Sequence, residues 1–327
     1  MTASSTPRVV ITEHLDETCA DWLADRADVL WYKHDAPGFS DALASADALV
    51  VRTYTDVNNN LLDQAPNLRV VGRAGVGLDN IDVPACRARG IAVVYTPDAN
   101  TQAVVEYVLG LMLDRFRPRT PMTGPDQPAP FHDLRKTEVG TQLDTLTLGI
   151  LGLGRIGKRL AKAAHALGIP VLACDLLPLE ELLSQLDAPL QSHIELVDHA
   201  TLYAHSDILS IHTDGRAANR HLINAQALAQ LKPTALLLNA ARGMLIDRPA
   251  LREWLSQNPD AQAVLDVHDP EPIPPDDPLW HLPNATLLPH LASRTGPAMQ
   301  NMSWVVRDVW AVLEGQAPAY PAPDAPV

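Results

Sequence analysis

Cysteine is scarce in this chain. Its three residues, Cys19, Cys86 and Cys174, lie far apart and none belongs to a Cys-x-x-Cys pair. A disulfide framework and a structural zinc site are therefore excluded as organising devices, no metal is expected, and Cys174, inside the apolar run VLAC, reads as a plain buried thiol. No stretch reaches the roughly 18 uninterrupted apolar residues that a membrane span requires. The opening MTASSTPRVVITE has no basic segment leading into an apolar run, so a secretory signal is not supported and a cytoplasmic location is expected. Basic charge is also in deficit: 25 Lys and Arg stand against 39 Asp and Glu, a formal net charge of -14. That balance favours solubility and works against nucleic acid as a partner. An anionic ligand would have to be captured locally, by placed arginines or backbone amides.

What is present is enough for two domains: 327 residues, 46% hydrophobic and 20% charged. The first hundred residues alternate apolar runs with helix-like segments. RVVIT (8–12), VLWY (29–32), ALVV (48–51), LRVVG (68–72) and IAVVY (91–95) read as buried parallel strands. Segments 16–27 and 82–89 read as helices between them. Residues 101–116, TQAVVEYVLGLMLDRF, form a buried helix that would serve as a spine between two lobes. It stops against a Pro-rich run, 118–130, expected to be a loop or linker. A second series follows: TLGILG (147–152), PVLACD (170–175), HIELV (193–197), ILSIH (208–212), ALLLNA (235–240), AVLDV (263–267) and ATLLPH (285–290). Residues 298–314 read as one final helix, and the Pro-rich tail from Pro318 as disordered or draped on the surface. Repeated strand–helix–strand units imply open parallel sheets with helices on both faces, twice over.

Gly152-Leu153-Gly154-Arg155-Ile156-Gly157 follows the strand at 147–152 and opens a helix at 155–167. Glycines at that spacing allow a tight turn, close approach of backbone to a pyrophosphate, and close helix–strand packing. The helix start adds N–H groups and a positive dipole end. Asp175 ends the next strand, where a carboxylate accepts hydrogen bonds from the adenosine ribose hydroxyls. Its charge repels a 2′-phosphate, and Leu176-Leu177-Pro178 supplies no arginine to receive one. The expected cofactor is NAD rather than NADP.

In open parallel sheets ligands sit beyond the carboxyl ends of the strands. Arg242 follows ALLLNAA, Glu271 follows AVLDV by a short loop, and His290 closes ATLLP. Arg242 is suited to a forked grip on a carboxylate, His290 to moving the proton that accompanies hydride transfer, and Glu271 to holding that imidazole and favouring its charged form. Singly, each has a structural reading: a surface ion pair, a loop carboxylate, a packed histidine. On one sheet edge with a dinucleotide turn, the catalytic reading outweighs them.

Five segments then carry a resemblance: GRAGVGLDNID (72–82), LGILGLGRIGKRLA (148–161), LKPTALLLNAARGMLID (231–247), LDVHDPEP (265–272) and LPNATLLPHLASRT (282–295). The chain resembles the D-isomer-specific 2-hydroxyacid dehydrogenase family, in the branch of phosphoglycerate, glycerate and hydroxypyruvate reductases. The resemblance implies two doubly wound domains, a Rossmann-type NAD domain (100–294) inserted into a flavodoxin-like substrate domain (1–99 and 295–327). It implies catalysis by Arg242, Glu271 and His290, with hydride moving between NAD(H) and C2 of a small 2-hydroxy or 2-oxo acid. Gly152, Gly154, Arg155, Ile156, Gly157, Asp175 and Ala240 fall at the cofactor, with Asp266 as partner of the nicotinamide carboxamide. Val76 and Gly77 match the loop whose backbone N–H groups hold the substrate carboxylate, and Asn100 a position facing the same cleft. Arg52 and Arg73 are secondary candidates.

A homodimer without an added C-terminal regulatory domain is expected. Three segments depart from the family pattern. His212-Thr213-Asp214-Gly215-Arg216 replaces His-x-Pro followed by Leu-Thr in a loop that borders the cofactor, His268 stands where an aromatic residue is common, and 118–140 is Pro-rich. Two rivals remain at this stage. NAD(H)-sensing co-repressors of the same fold keep the triad. Formate dehydrogenases replace the catalytic Glu with Gln, against which Glu271 argues.

Overall fold

The computed structural model describes residues 6–122, 130–186 and 188–323. The chain forms two compact units: one runs to Asn100 and resumes at Ser293, and the other is Thr101–Ala292.

The first unit is built on five parallel strands, β1 (Arg8–Ile11), β2 (Asp28–Trp31), β3 (Ala48–Val51), β4 (Val70–Arg73) and β5 (Ala92–Tyr95). Their spatial order, β2-β1-β3-β4-β5, is the flavodoxin-like order. The central strand β3 is buried along its whole length, which is why ALVV shows no polar alternation. One face of the sheet packs on Phe39, Leu43, Leu61 and Leu62. The other packs on Leu15, Leu23, Val305, Val306 and Val309, so the returning C-terminal segment completes this core. A Cβ at Gly72 would lie 2.5 Å from Val309 Cγ2; the bare backbone of β4 lets that helix settle onto the sheet.

One expectation is corrected here. Residues 298–314 are two helices, Gly296–Ser303 and Val305–Leu313, joined at Trp304. Ser303 Oγ donates to Met299 O at 2.8 Å and accepts from Asp16 N at 2.9 Å, and serine bonding back to the preceding turn bends a helix. Of the Pro-rich tail, expected as disordered or draped on the surface, the described residues up to 323 lie along the edge of this sheet. Tyr95 N donates to Tyr320 O (3.1 Å) and Ala322 N to Val93 O (2.7 Å), placing Pro321 in an antiparallel bridge opposite Val94. The buried carboxylate of Asp308 accepts Ala319 N at 2.7 Å and Tyr320 N at 3.2 Å. An edge strand such as β5 offers unpaired backbone groups, and an added edge strand is where proline is tolerated.

The second unit carries seven parallel strands: β6 (Leu148–Leu151), β7 (Val171–Cys174), β8 (Ile194–Leu196), β9 (Ile208–Ile211), β10 (Leu236–Asn239), β11 (Gln262–Leu265) and β12 (Ala285–Leu287). The order β12-β11-β10-β9-β6-β7-β8 is the doubly wound dinucleotide-binding order extended by one strand, with its switch point between β6 and β9. The helix Thr101–Phe116 packs within this unit. Its Val104, Val105, Val108 and Met112 share a core with Leu160, Ala161 and Ala164, and Arg159 Nε donates to Gln102 Oε1 at 2.9 Å. Of the Pro-rich run expected as a loop, 123–129 lie outside the described residues. Pro130 instead opens a helix, Pro130–Thr137, a first-turn position where its missing N–H costs nothing. No helix among the described residues is long and apolar enough to cross a membrane.

Candidate active site at the carboxyl edge of the seven-stranded sheet

The Gly-rich turn lies at the switch point, directly after β6. Gly152 has φ +98°, and a Cβ there would lie 2.7 Å from the His212 carbonyl oxygen. A Cβ at Gly157 would lie 2.1 Å from the Gly152 carbonyl oxygen and 3.2 Å from Ile150 Cγ2. These two glycines are demanded by the protein's own packing. Gly154 differs: nothing lies within 4 Å of a Cβ at that position. The protein does not require glycine there, whereas a phosphate laid against the turn would. Gly154 also caps the helix Arg155–Ala166 without a side-chain bond. The first intrahelical bond into that turn is Lys158 N to Gly154 O, at 2.9 Å, so the backbone N–H groups of Arg155, Ile156 and Gly157 precede the ladder. This cradle fits a dinucleotide pyrophosphate.

Asp175, one residue past β7, is tied to the same turn. Its Oδ2 accepts Leu153 N at 2.6 Å and its Oδ1 accepts Leu177 N at 3.0 Å. A carboxylate has about four lone-pair directions, so two bonds to backbone fix it and leave capacity for a ribose diol.

Arg242, Glu271 and His290 follow β10, β11 and β12, three strands adjacent in the sheet. The turn carrying Arg242 is closed by the buried Asn239, whose Nδ2 donates to Arg242 O (2.9 Å) and whose Oδ1 accepts Ala241 N (3.0 Å). The Arg242 guanidinium bonds Ala241 O through Nη1 at 2.7 Å. Half-buried Ala240 sits between β10 and this turn. Gly243 then lies against the loop after β11: a Cβ there would meet His268 C at 2.0 Å, His268 O at 2.1 Å and Asp269 N at 2.5 Å. This backbone-on-backbone approach brings the Arg242 turn to the Glu271 loop.

Glu271 stands between two cis X-Pro bonds, Asp269–Pro270 and Glu271–Pro272. Its Oε1 accepts His268 N at 2.8 Å, and its Oε2 lies 3.0 Å from His290 Nδ1. Burial pushes the Glu271 carboxyl up, but the hydrogen bonds from His290 and His268 N, with the neighbouring imidazoles, outweigh it and hold the group below its ordinary value. Glu271 is therefore ionised at neutral pH, and an ionised carboxylate only accepts hydrogen bonds. Nδ1 of His290 then carries the proton in this pair, which leaves Nε2 as the ring nitrogen not engaged by Glu271. His290 itself has φ +55°, a left-handed conformation that a residue with a Cβ adopts under constraint from its surroundings.

The constraint comes from Asp266. Its backbone O accepts His290 N at 2.9 Å. Its Oδ1 accepts Leu291 N at 2.8 Å and the Tyr107 hydroxyl at 3.1 Å, and its Oδ2 accepts Ala292 N at 2.8 Å. Asp266, expected as a partner of the carboxamide, is almost wholly buried and spends these bonds fixing the His290 turn. The Tyr107 phenol is pushed up by burial and by Asp266, so it donates rather than ionises. His268, at the site where an aromatic residue was the alternative, is buried and bonds Leu288 O through Nε2 at 2.8 Å. Burial pushes it down, which keeps it neutral.

In the first unit, Val76 and Gly77 sit half-buried just past β4. Among the described residues, neither N–H donates a hydrogen bond. Asn100 Oδ1 is buried without a partner. Arg52 is held by His14 O at 3.1 Å and Arg73 by Ala74 O at 2.9 Å, which gives both a structural task.

Gly243, Tyr107 and Asp214 were not singled out from the sequence. Gly243 carried a signal, a glycine straight after a strand-end arginine. Tyr107 carried none, since a helical tyrosine does not announce its partner. Asp214 was visible only as part of an unusual loop.

The order of the seven strands, the Gly-rich cradle and the strand-end pair define a dinucleotide-binding α/β protein of the oxidoreductase type. Residues 122–292 match the sequence model of the D-isomer specific 2-hydroxyacid dehydrogenase NAD binding domain. The chain belongs to this family. It is 35% identical over 324 residues to a glyoxylate reductase of Thermofilum pendens, covering 95% of this chain and 93% of the relative. It is 36% identical over 262 residues to the D-3-phosphoglycerate dehydrogenase of Archaeoglobus fulgidus, covering 80% of this chain and 48% of that protein. The chain thus spans about half the length of that relative. Among solved structures, a protein from Thermus thermophilus superposes with TM-score 0.82 at 31% identity, covering 97% of this chain and all of that one. The NADPH-dependent glyoxylate/hydroxypyruvate reductase of Sinorhizobium meliloti, in complex with NADP and malonate, superposes with TM-score 0.80 at 27% identity, covering 97% of each chain.

Proposed function

We propose that this protein is an NAD-dependent dehydrogenase acting at C2 of a small 2-hydroxy or 2-oxo acid. The observation that carries the proposal is the Glu271–His290 pair, 3.0 Å apart, on the sheet edge that also holds the Gly154 cradle. Bound there, NAD(H) supplies or accepts the hydride at its nicotinamide ring. The chain's own residues do the rest. Arg242 holds the substrate carboxylate through its planar fork and presents the neighbouring carbon. Val76 and Gly77 are the proposed carboxylate-holding amides of the first unit, and Asn100 is proposed as a further substrate contact. His290 Nε2 gives its proton to the carbonyl oxygen in reduction and takes it back in oxidation. Glu271 keeps the imidazole in one orientation and one tautomer. Asp175 reads the ribose diol and disfavours a 2′-phosphate, so NADH is the proposed partner over NADPH. A cytoplasmic homodimer is proposed with this reading.

The test is NADH consumption with a panel of 2-oxo acids: glyoxylate, hydroxypyruvate, pyruvate, and branched and phosphorylated ones. Turnover of at least one, lost in His290→Gln while NADH still binds, is expected. Tight NADH binding with no turnover of any of them would replace the enzyme by a dinucleotide-sensing protein.

A further inference from the structure

The loop after β9 is built around an ion pair only two residues apart. Asp214 Oδ1 accepts the Arg216 backbone N–H at 2.9 Å and Arg216 Nε at 2.7 Å. Its Oδ2 accepts Nε at 3.0 Å and also Nη2. Asn219 Nδ2 holds Asp214 from the other side, at 3.1 Å to its carbonyl oxygen and 3.2 Å to Oδ1. The two charged side chains retain 32% and 34% exposure, enough shelter for the fork to keep its geometry.

This loop seats on the Gly-rich turn. The missing side chain of Gly152 leaves room for the His212 carbonyl oxygen at 2.7 Å and Thr213 N at 3.0 Å. Asp175 seats on the same turn from the opposite flank, through Leu153 N. In the sheet, β6 lies between β7, which leads to Asp175, and β9, which leads to Arg216. The hydrogen bonds of Asp214 push the Arg216 guanidinium up against a burial penalty, and the charges of Asp214 and Asp175 both add to it. Asp175 and the Asp214–Arg216 loop therefore both seat on the Gly-rich turn, one on each side of β6.

A ribose 2′-phosphate needs a cation there, usually an arginine, whereas a free diol needs only an acceptor. Arg216 is such an arginine on a loop seated against the cradle, and Asp214 occupies its Nε–Nη2 edge and neutralises its charge. We infer that Asp214 is a second determinant of dinucleotide choice: by holding the Nε–Nη2 edge of Arg216 and neutralising its charge, it weakens what that guanidinium can offer a 2′-phosphate. The inference rests on the NAD reading above. It differs from the role given to Asp175, because Asp175 repels the phosphate directly and Asp214 acts through Arg216.

The experiment measures NADH and NADPH dissociation constants from the fluorescence of the reduced nicotinamide, without substrate. The proteins are wild type, Asp175→Ala, Asp175→Ala/Asp214→Asn, and that pair with Arg216→Ala. Asp214→Asn keeps the shape and the acceptor for the Arg216 N–H while removing the charge that grips the guanidinium. Asp175→Ala/Asp214→Asn should bind NADPH about tenfold or more tighter than Asp175→Ala, the worth of one charge-assisted hydrogen bond. NADH should change much less, and Arg216→Ala should erase the gain. Asp214→Ala, which leaves the Asn219 bond to the backbone, is a second variant judged by the same criterion. A gain that survives Arg216→Ala, or no gain from either Asp214 variant while NADH binding persists, overturns the inference alone. A wild type that binds neither dinucleotide overturns the NAD reading and this inference together.

Discussion

Two glycines at the site should respond to the same substitution in opposite ways. At Gly243 a methyl group would sit 2.0–2.5 Å from three backbone atoms of His268 and Asp269, none of which can turn aside as a side-chain end would. Overpacking of this kind costs about 1–3 kcal/mol, and contacts this short, against backbone, place Gly243→Ala at the upper end. For a unit of this size about 3 kcal/mol lowers Tm by roughly 6–12 °C. The turn bearing Arg242 must also retreat from the loop bearing Glu271, and a displacement near 1 Å at a reacting centre costs on the order of 100-fold in rate. At Gly154 a methyl group meets no protein atom within 4 Å. Gly154→Ala should therefore leave Tm within about 2 °C of wild type, the range of a neutral surface change, yet weaken NADH binding about tenfold or more through lost approach of the pyrophosphate. Thermal unfolding by circular dichroism, NADH titration and kcat/KM on the best 2-oxo acid measure all three quantities. Wild-type Tm and kcat/KM in Gly243→Ala would refute the argument that this glycine assembles the site. A large loss of Tm with intact NADH binding in Gly154→Ala would refute the cradle.

Arg242→Ala should lower kcat/KM by about 100-fold or more, on the order of a lost charge-assisted fork, with NADH affinity nearly unchanged; Arg242→Lys should rescue little, and steady-state kinetics with NADH titration checks both. Glu271 is held below its ordinary carboxyl value, so its contribution to stability is present above the unfolded value near 4.5 and is lost as pH falls through the lower folded value. The Tm gap between wild type and Glu271→Gln should accordingly narrow below about pH 4.5; a gap that does not narrow there would contradict the charged pair. Asp308→Ala should free the C-terminal segment, raising hydrogen exchange at Ala322 and Tyr95 and costing about 1–3 kcal/mol for the orphaned backbone donors.

The alternation of apolar runs with helical segments placed the strands of both sheets within a few residues of their observed bounds, because burial on both faces of a parallel sheet writes a continuous local signal. The Gly-rich turn and Asp175 were legible for the same reason, as they are defined by position along one strand–helix–strand unit. Arg242, Glu271 and His290 could be nominated because each closely follows a strand. Their convergence was beyond any local window, since it depends on β10, β11 and β12 being neighbours and on Gly243 touching His268. The break at Trp304 came from Ser303 meeting Asp16, a residue at the other end of the chain. The Pro-rich tail made an isolated bridge to the sheet because β5 had an open edge and the Asp308 carboxylate accepts two of its backbone N–H groups. That Asp266 anchors the His290 turn was illegible for a similar reason, since Tyr107, Leu291 and Ala292 reach it from separate segments. Sequence by itself determined most of the strands and the Gly-rich turn, because those follow from nearest neighbours along the chain. Tertiary structure alone decided which side chains meet, because hydrogen bonds and close packing are made between segments that only the sheet order brings together.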